Sequence, residues 1–163
     1  MKSLLGAKAE QLGNEFEKLV HNICLDNQWN SKHSVKMEFF GAPSKLGDVD
    51  VLVWSNHSNK IYALECKRLK MCRTARDIGR LLSKFRGDPS NNDDKLTKHI
   101  NRVDWLNKNI DTVCSKLGIT QQIIEIKALV VTNRLVPMGF INNAHLSKVE
   151  FITLNDISSL VCK

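Results

Sequence analysis

Length, composition and charge exclude several classes of protein. The chain has 163 residues, 42% of them hydrophobic and 25% charged, which is ordinary for a globular domain with a full core. No apolar run approaches the ~20 residues needed to span a bilayer, and the N-terminus is too short and too polar for a signal peptide. We therefore expect one cytoplasmic domain, residues 1–163, with no membrane partner, either complete or cut from a longer chain.

Cysteine and histidine give no support for a zinc site or a disulfide framework. The five cysteines are odd in number, and no two have the spacing of a zinc-binding pair. The five histidines are scattered along the chain. The cysteines are accordingly interpreted as reduced thiols, most of them packing residues.

Positive charge is concentrated in one quarter of the chain. The formal net charge is +7, and the segment from Lys67 to Lys108 holds twelve basic residues against five acids, which accounts for all of it. A basic surface of this kind attracts phosphate backbones. A well-solvated helical surface has the same composition, so charge alone leaves both interpretations open.

The hydrophobic pattern predicts an α/β domain. Taken in chain order, the predicted elements are a helix over 4–25, strands over 34–40, 48–53 and 61–67, helices over 73–86 and 95–117, strands over 123–132 and 149–154, and a short helix over 156–161. Polar loops are predicted over 87–94 and 136–148. Turn residues at 55–59 make the second and third strands a hairpin, and the element order is αβββααββα.

The hairpin carries acids within two strands that are otherwise apolar. A turn centred between residues 57 and 58 places Asp50 directly opposite Glu65, with Lys67 on the same face. Two carboxylates ~5 Å apart repel each other unless a cation lies between them, and oxygen ligands suit Mg²⁺ or Mn²⁺. Asp48 shares the face of Asp50, and the sequence leaves open which of the two faces Glu65. Exposed cross-strand charges are the alternative, but the apolar neighbours argue against it.

These segments resemble the PD-(D/E)XK nuclease superfamily, which includes restriction endonucleases, Mrr-like enzymes and archaeal-type Holliday junction resolvases. The matching segments are Gly13-Asn14-Glu15-Phe16-Glu17, Gly47-Asp48-Val49-Asp50 and Glu65-Cys66-Lys67. The element order also resembles the αβββαβ core of that family over about residues 7–135. The resemblance implies a restriction-endonuclease-like fold, with a central mixed sheet flanked by helices.

The resemblance also implies a role for each matching residue. Asp50 and Glu65 would bind Mg²⁺, for which Mn²⁺ could substitute, and the backbone carbonyl of Cys66 would be a further ligand. Lys67 would position or activate the attacking water. Glu17 matches a helix acid that supports the metal site in the family.

The helix after the third strand departs from the Mrr-like pattern. Mrr-like proteins often carry a glutamine there, whereas this chain offers Arg80 and Lys84, which puts that branch in doubt. Together with Arg73 and Arg76, these two residues are candidates to bind nucleic-acid phosphates. A solvated helix face is the alternative.

The sequence thus predicts a magnesium-dependent nuclease, with DNA as the expected substrate. The first alternative is a catalytically inactive nuclease-fold module that binds nucleic acid. A protein-interaction domain would explain the basic helices but not the carboxylates. A homodimer and fusion to further domains are both compatible with the sequence.

Overall fold

The computed structural model describes residues 4–86, 88, 90, 94–140 and 146–162. Within these residues, five strands form one sheet in the order in which they follow along the chain. The strands are β1 (Asn30–Lys36), β2 (Asp48–Trp54), β3 (Lys60–Lys67), β4 (Glu125–Thr132) and β5 (Val149–Thr153). The α-helices are α1 (Leu4–Asp26), α2 (Ala75–Lys84), α3 (Lys95–Lys108) and α4 (Ile110–Leu117).

The sheet is mixed because its two halves are connected differently. β1, β2 and β3 run antiparallel, whereas β3, β4 and β5 run parallel. A parallel neighbour requires a long crossover connection, and α2, α3 and α4 lie in the connection between β3 and β4. The predicted α/β class, a central mixed sheet flanked by helices, is confirmed.

Two hydrophobic clusters cover the two faces of the sheet. On β3, Tyr62 and Leu64 belong to the cluster that includes the apolar side of α1. Ile61 and Ala63 alternate with them and belong to the cluster that includes α3 and α4. Successive residues of a strand point to opposite faces, so a strand covered on both sides is apolar throughout.

The predicted register of the hairpin is confirmed. Val51 lies opposite Leu64, and Trp54 lies opposite Ile61, as a turn centred between residues 57 and 58 requires. The backbone pairing of β2 with β3 stops at Val51, one residue short of the predicted carboxylate pair.

The first strand was predicted too late in the chain. β1 ends at Lys36, and Met37–Phe40 form a 3-10 helix that ends at Gly41 with φ 91°. The buried side chains after Val35 are Met37 and Phe40, so the spacing changes from two to three residues. That change marks the end of the strand, and the predicted strand over 34–40 missed it.

The long helix predicted over 95–117 is two helices that meet at Asn109. The apolar stripe continues across the break through Leu106, Ile110 and Val113, so periodicity gave no sign of it. The predicted closing helix is a 3-10 segment over Leu154–Cys162. The observed order is therefore αβββαααββ.

Two further outcomes concern the loops and the length of the helices. The loops predicted over 87–94 and 136–148 fall partly outside the described residues. No described helix combines the length and the apolar character that a membrane crossing requires.

Candidate functional site

The site begins where strand β2 loses its regular alternation. Val49 packs on the α3 side of the sheet, yet Val51, two residues later, packs on the α1 side. On β1, Ser34 lies across from the break with φ 52°, and the β1–β2 pairing omits Ser34 and Asp50. Freed from the regular ladder, the Asp50 carboxylate accepts a hydrogen bond at Oδ2 from the backbone N–H of Cys66, 2.7 Å away.

Lys67 lies between the two predicted metal-binding acids. Its Nζ is 2.6 Å from Oε1 of Glu65 and 3.6 Å from Oδ2 of Asp50. Glu65 is buried at 6% exposure, close to the carboxyl end of β3. The structure thus brings Asp50, Glu65 and Lys67 together, as the hairpin register predicted.

Helix α3 covers the second oxygen of Glu65. Arg102 donates from Nη1 to Oε2 of Glu65 over 2.8 Å, and from Nε to the backbone oxygen of Leu46 over 2.7 Å. His99 is fully buried one turn earlier, with Nδ1 3.7 Å from the same glutamate oxygen. Both oxygens of Glu65 therefore face basic side chains.

The two acids have opposite pKa shifts. Burial, followed by the charge of Glu65, raises the pKa of Asp50 to about 6 against the opposing effect of Lys67. Burial also acts to raise the pKa of Glu65, but the positive charges around it outweigh burial and lower that pKa. Burial lowers the pKa of His99 itself to about 4, so at neutral pH Lys67 and Arg102 supply this attraction. Of the two acids, Glu65 is therefore the more strongly stabilised as an anion, and the negative charge of Asp50 is less fully neutralised.

The lysine remains charged in these surroundings. Burial acts to lower the pKa of Lys67, but Glu65 and Asp50 outweigh burial and raise it above its usual value. An ammonium group with a raised pKa donates hydrogen bonds and cannot accept a proton at neutral pH. At neutral pH Lys67 is therefore a charged hydrogen-bond donor beside both acids.

Glu17 reaches the site from α1. Burial is the main cause of its raised pKa, and the charges of Lys67 and Glu65 also act on it, which places its carboxylate near theirs. Its Oε2 lies 3.5 Å from Nε2 of His33 on β1. Glu17 thus borders the cluster at the junction of α1 and β1.

Asp48, the alternative acid, lies away from the cluster. It is exposed and pairs with Lys36 across the β1–β2 ladder. Of the two aspartates, Asp50 is the one that meets Glu65 and Lys67.

The donor set suits a hard divalent cation, but its present arrangement does not enclose one. The carboxylates of Asp50 and Glu65, with the Cys66 carbonyl, are oxygen donors of the kind that Mg²⁺ prefers. Burial and the charge of Glu65 raise the pKa of Asp50, so added positive charge beside this carboxylate would be favourable. However, no three His, Cys, Asp or Glu side chains among the described residues are grouped as metal ligands, and the Lys67 ammonium lies between the acids. Carboxylate repulsion alone therefore does not require a metal, because the Lys67 ammonium already lies beside both acids.

The four predicted phosphate-binding residues are all exposed on α2 or just before it. They are Arg73, Arg76, Arg80 and Lys84. Thr74 and Asp77 form a capping box at the N-terminus of α2, so the helix begins just after Arg73. Burial lowers the pKa of Lys95 at the start of α3, and the charges of Lys67 and Lys84 act in the same direction.

A family comparison matches almost the whole chain. The model of a family described as "Anti-phage protein Upx-like" matches residues 1–158. The chain belongs to the Upx-like family. No curated protein and no solved structure matches it. The family suggests a protein of phage defence.

In this Upx-like chain, the contribution of α3 to the site was missed from the sequence. Lys95, His99 and Arg102 are not among the site residues that the sequence pattern predicts. The three residues are spaced i, i+4 and i+7, so they share one face of the helix. The sequence signal for this contribution was a row of polar residues beside the apolar stripe of α3. It did not indicate that these residues would contact Glu65.

Proposed function

We propose that this Upx-like protein is a metal-dependent nuclease of the PD-(D/E)XK type that hydrolyses phosphodiester bonds, with DNA as the expected substrate. The observation that carries the proposal is the meeting of Asp50, Glu65 and Lys67 at one point of an otherwise apolar sheet. Buried charges are costly to maintain, and they concentrate at functional sites. Degradation of phage DNA in the cytoplasm would be consistent with an anti-phage family.

Each residue of the cluster has a chemical task in this proposal. Asp50, Glu65 and the Cys66 carbonyl would hold Mg²⁺ or Mn²⁺, and Glu17 would support them from α1. When bound, the ion lowers the pKa of water and neutralises charge that develops on the phosphate. Lys67, held in its charged form, would donate a hydrogen bond to the attacking water or to a phosphate oxygen.

The basic residues of α2 would supply affinity for the substrate. Arg73, Arg76, Arg80 and Lys84 are exposed, so they are free to meet a phosphate backbone. Contacts of this kind neutralise phosphates and release counterions without reading sequence. Binding would therefore be strongly salt-dependent and would discriminate little between sequences.

A second candidate is an inactive nuclease-fold module that binds nucleic acid. The observation in its favour is that Lys67 and Arg102 already neutralise both oxygens of Glu65. A network compensated in this way can be stable without an ion, so the acids could be structural.

Cleavage assays separate the two candidates. Plasmid, linear duplex, single-stranded DNA and RNA would be incubated with the parent protein in Mg²⁺ and in EDTA, alongside the D50N, E65Q and D48N variants. The nuclease proposal expects magnesium-dependent cleavage that D50N and E65Q lose and D48N keeps. Binding without cleavage of any substrate would favour the inactive module. Absence of both would contradict the nucleic-acid proposal as a whole.

A further inference from the structure

The strand ends that carry the two proposed metal ligands are joined by side chains and not by backbone pairing. The β2–β3 ladder stops at Val51 and Leu64. Beyond it, the Asp50 carboxylate accepts the Cys66 N–H. Backbone pairing holds each strand end to its outer neighbour, β2 to β1 and β3 to β4, so side-chain contacts make the direct connection between the two ends.

Lys67 lies between Asp50 and Glu65 across this gap, and Arg102 makes a further connection. One bond ends on the backbone oxygen of Leu46, which lies two residues before β2, and the other ends on Glu65 of β3. The Arg102 side chain is 12% exposed, so packing restricts it as well. A planar guanidinium holds two acceptors in a fixed mutual geometry, which a lysine ammonium on a flexible chain does not.

We propose that Arg102 is a positioning residue that fixes Glu65 relative to the segment leading into Asp50, and thereby sets the geometry in which the two acids hold a divalent ion. This inference rests on the proposed function, because it concerns the same metal site. Arg102 itself touches no reacting atom in this proposal. It acts through Leu46 and Glu65.

The competing explanation is that Arg102 matters only as a charge. A fixed positive charge beside Glu65 opposes the arrival of a divalent cation. If Arg102 acts only as a charge, a substitution that removes the charge should tighten ion binding, and Arg102→Lys should leave ion binding unchanged. If Arg102 is a positioning residue, a substitution that removes its contacts should weaken ion binding even though a repelling charge is lost. Arg102→Lys should then weaken ion binding too. The two explanations differ in the sign of the effect.

The first measurement is the affinity of the full chain for Mn²⁺ by titration calorimetry. We expect R102M and R102K each to bind Mn²⁺ about tenfold more weakly than the parent, the scale typical of groups that orient metal ligands. K95M is the matched control, because the charge of Lys95 reaches Glu65 and Asp50. It should bind Mn²⁺ as tightly as the parent or more tightly. Tighter binding by R102M with unchanged binding by R102K would overturn the proposal.

The second measurement uses the metal-free protein and amide hydrogen exchange. Two amides report on the connection: that of Cys66, which donates to Asp50, and that of Met37, which donates to the Gly47 oxygen over 3.0 Å. We expect both to exchange about tenfold faster in R102K and R102M, whereas the Val53 amide within the hairpin keeps its protection. R102K keeps the charge and serves as the readout if R102M does not fold. Unchanged exchange of both amides would contradict the proposal.

The outcomes also separate this inference from the nuclease proposal. If the parent protein binds Mn²⁺ but cleaves nothing, the nuclease proposal is contradicted. The Mn²⁺ affinities of R102M and R102K then still test the positioning role. A parent that binds no Mn²⁺ would remove the ion site, and with it the part of the proposal that concerns ion binding. In that case amide exchange still decides whether Arg102 holds the strand ends together.

Discussion

The carboxylate cluster and helix α2 use charge in two different ways. In the cluster, Glu65 is buried and each of its oxygens has a named basic partner. On α2, Arg76 and Arg80 are exposed to solvent. Exposed charges interact weakly with their neighbours, whereas buried charges must be paired closely to be tolerated.

The difference indicates how each region should respond to substitution. In the cluster, geometry decides the outcome, so one conservative change at Asp50 or Glu65 should have a large effect. On α2, the number of positive charges decides the affinity for nucleic acid, so losses of affinity should accumulate over several substitutions. The same substitutions should have little effect on the stability of the fold. Four predictions test this contrast.

The largest expected effect is on catalysis. D50N and E65Q should each lower the cleavage rate by about a thousandfold or more, because each removes a charge on which the proposed ion depends. K67M should do the same by removing the positioned ammonium. Rates on plasmid DNA with saturating Mg²⁺ measure this, and thermal melting verifies the fold of each variant. If D48N were inactive while D50N cut normally, the assignment of the acid would be wrong.

The second effect is on metal-free stability as a function of pH. Asp50 has a folded-state pKa raised from 3.8 to about 6, so its contribution to stability is full below 3.8 and is lost as the pH rises through 6. D50N does not titrate and should therefore gain relative to the parent over this range, by about 2 to 3 kcal/mol at ~1.4 kcal/mol per pKa unit. Urea unfolding in EDTA at about pH 4 and about pH 7 measures it. A constant difference between the two proteins would show that burial does not perturb Asp50.

The third effect is stabilisation by the ion. Mg²⁺ at ten times its Kd should raise the free energy of unfolding by about 1.4 kcal/mol if only the folded state binds it. E65Q should remove the gain, whereas D48N, outside the cluster, should keep it. Melting curves with Mg²⁺ and with EDTA give the comparison. Identical melting of the parent in both would favour the inactive module.

The smallest effect on the fold is expected from α2. Replacement of Arg73, Arg76 and Arg80 by glutamine should change the free energy of unfolding by less than about 0.5 kcal/mol, as is usual for exposed positions. The same variant should bind all duplex sequences about tenfold more weakly, and the slope of log K against log salt should fall by about 0.9 per lost contact. A salt titration without metal measures both quantities. An unchanged slope would place the nucleic acid elsewhere, with Lys95 and Lys98 of α3 the next surface to test.

The local sequence pattern correctly predicted much of the sheet, but it did not predict where some of the elements end. The hairpin register followed from turn residues and from the period of two in β2 and β3, both of which are local properties. The break at Asn109 lies within a continuous apolar stripe, so periodicity did not show it. The end of β1 coincides with a change from two-residue to three-residue spacing after Val35, which the predicted strand missed. Propensity and pattern are weak evidence wherever tertiary contacts decide the boundary.

By itself, the sequence determined that Asp50, Glu65 and Lys67 share one end of one hairpin, because strand period and turn position fix which residues face each other. Only the tertiary structure decided how their charges are balanced. It interrupted the alternation of β2 at Asp50, set Lys67 between the acids and brought Arg102 from α3 onto Glu65. Arg102 lies 37 residues after Glu65, and no local pattern predicts a contact at that separation. It arises because the crossover between the parallel strands β3 and β4 folds α3 back over the sheet.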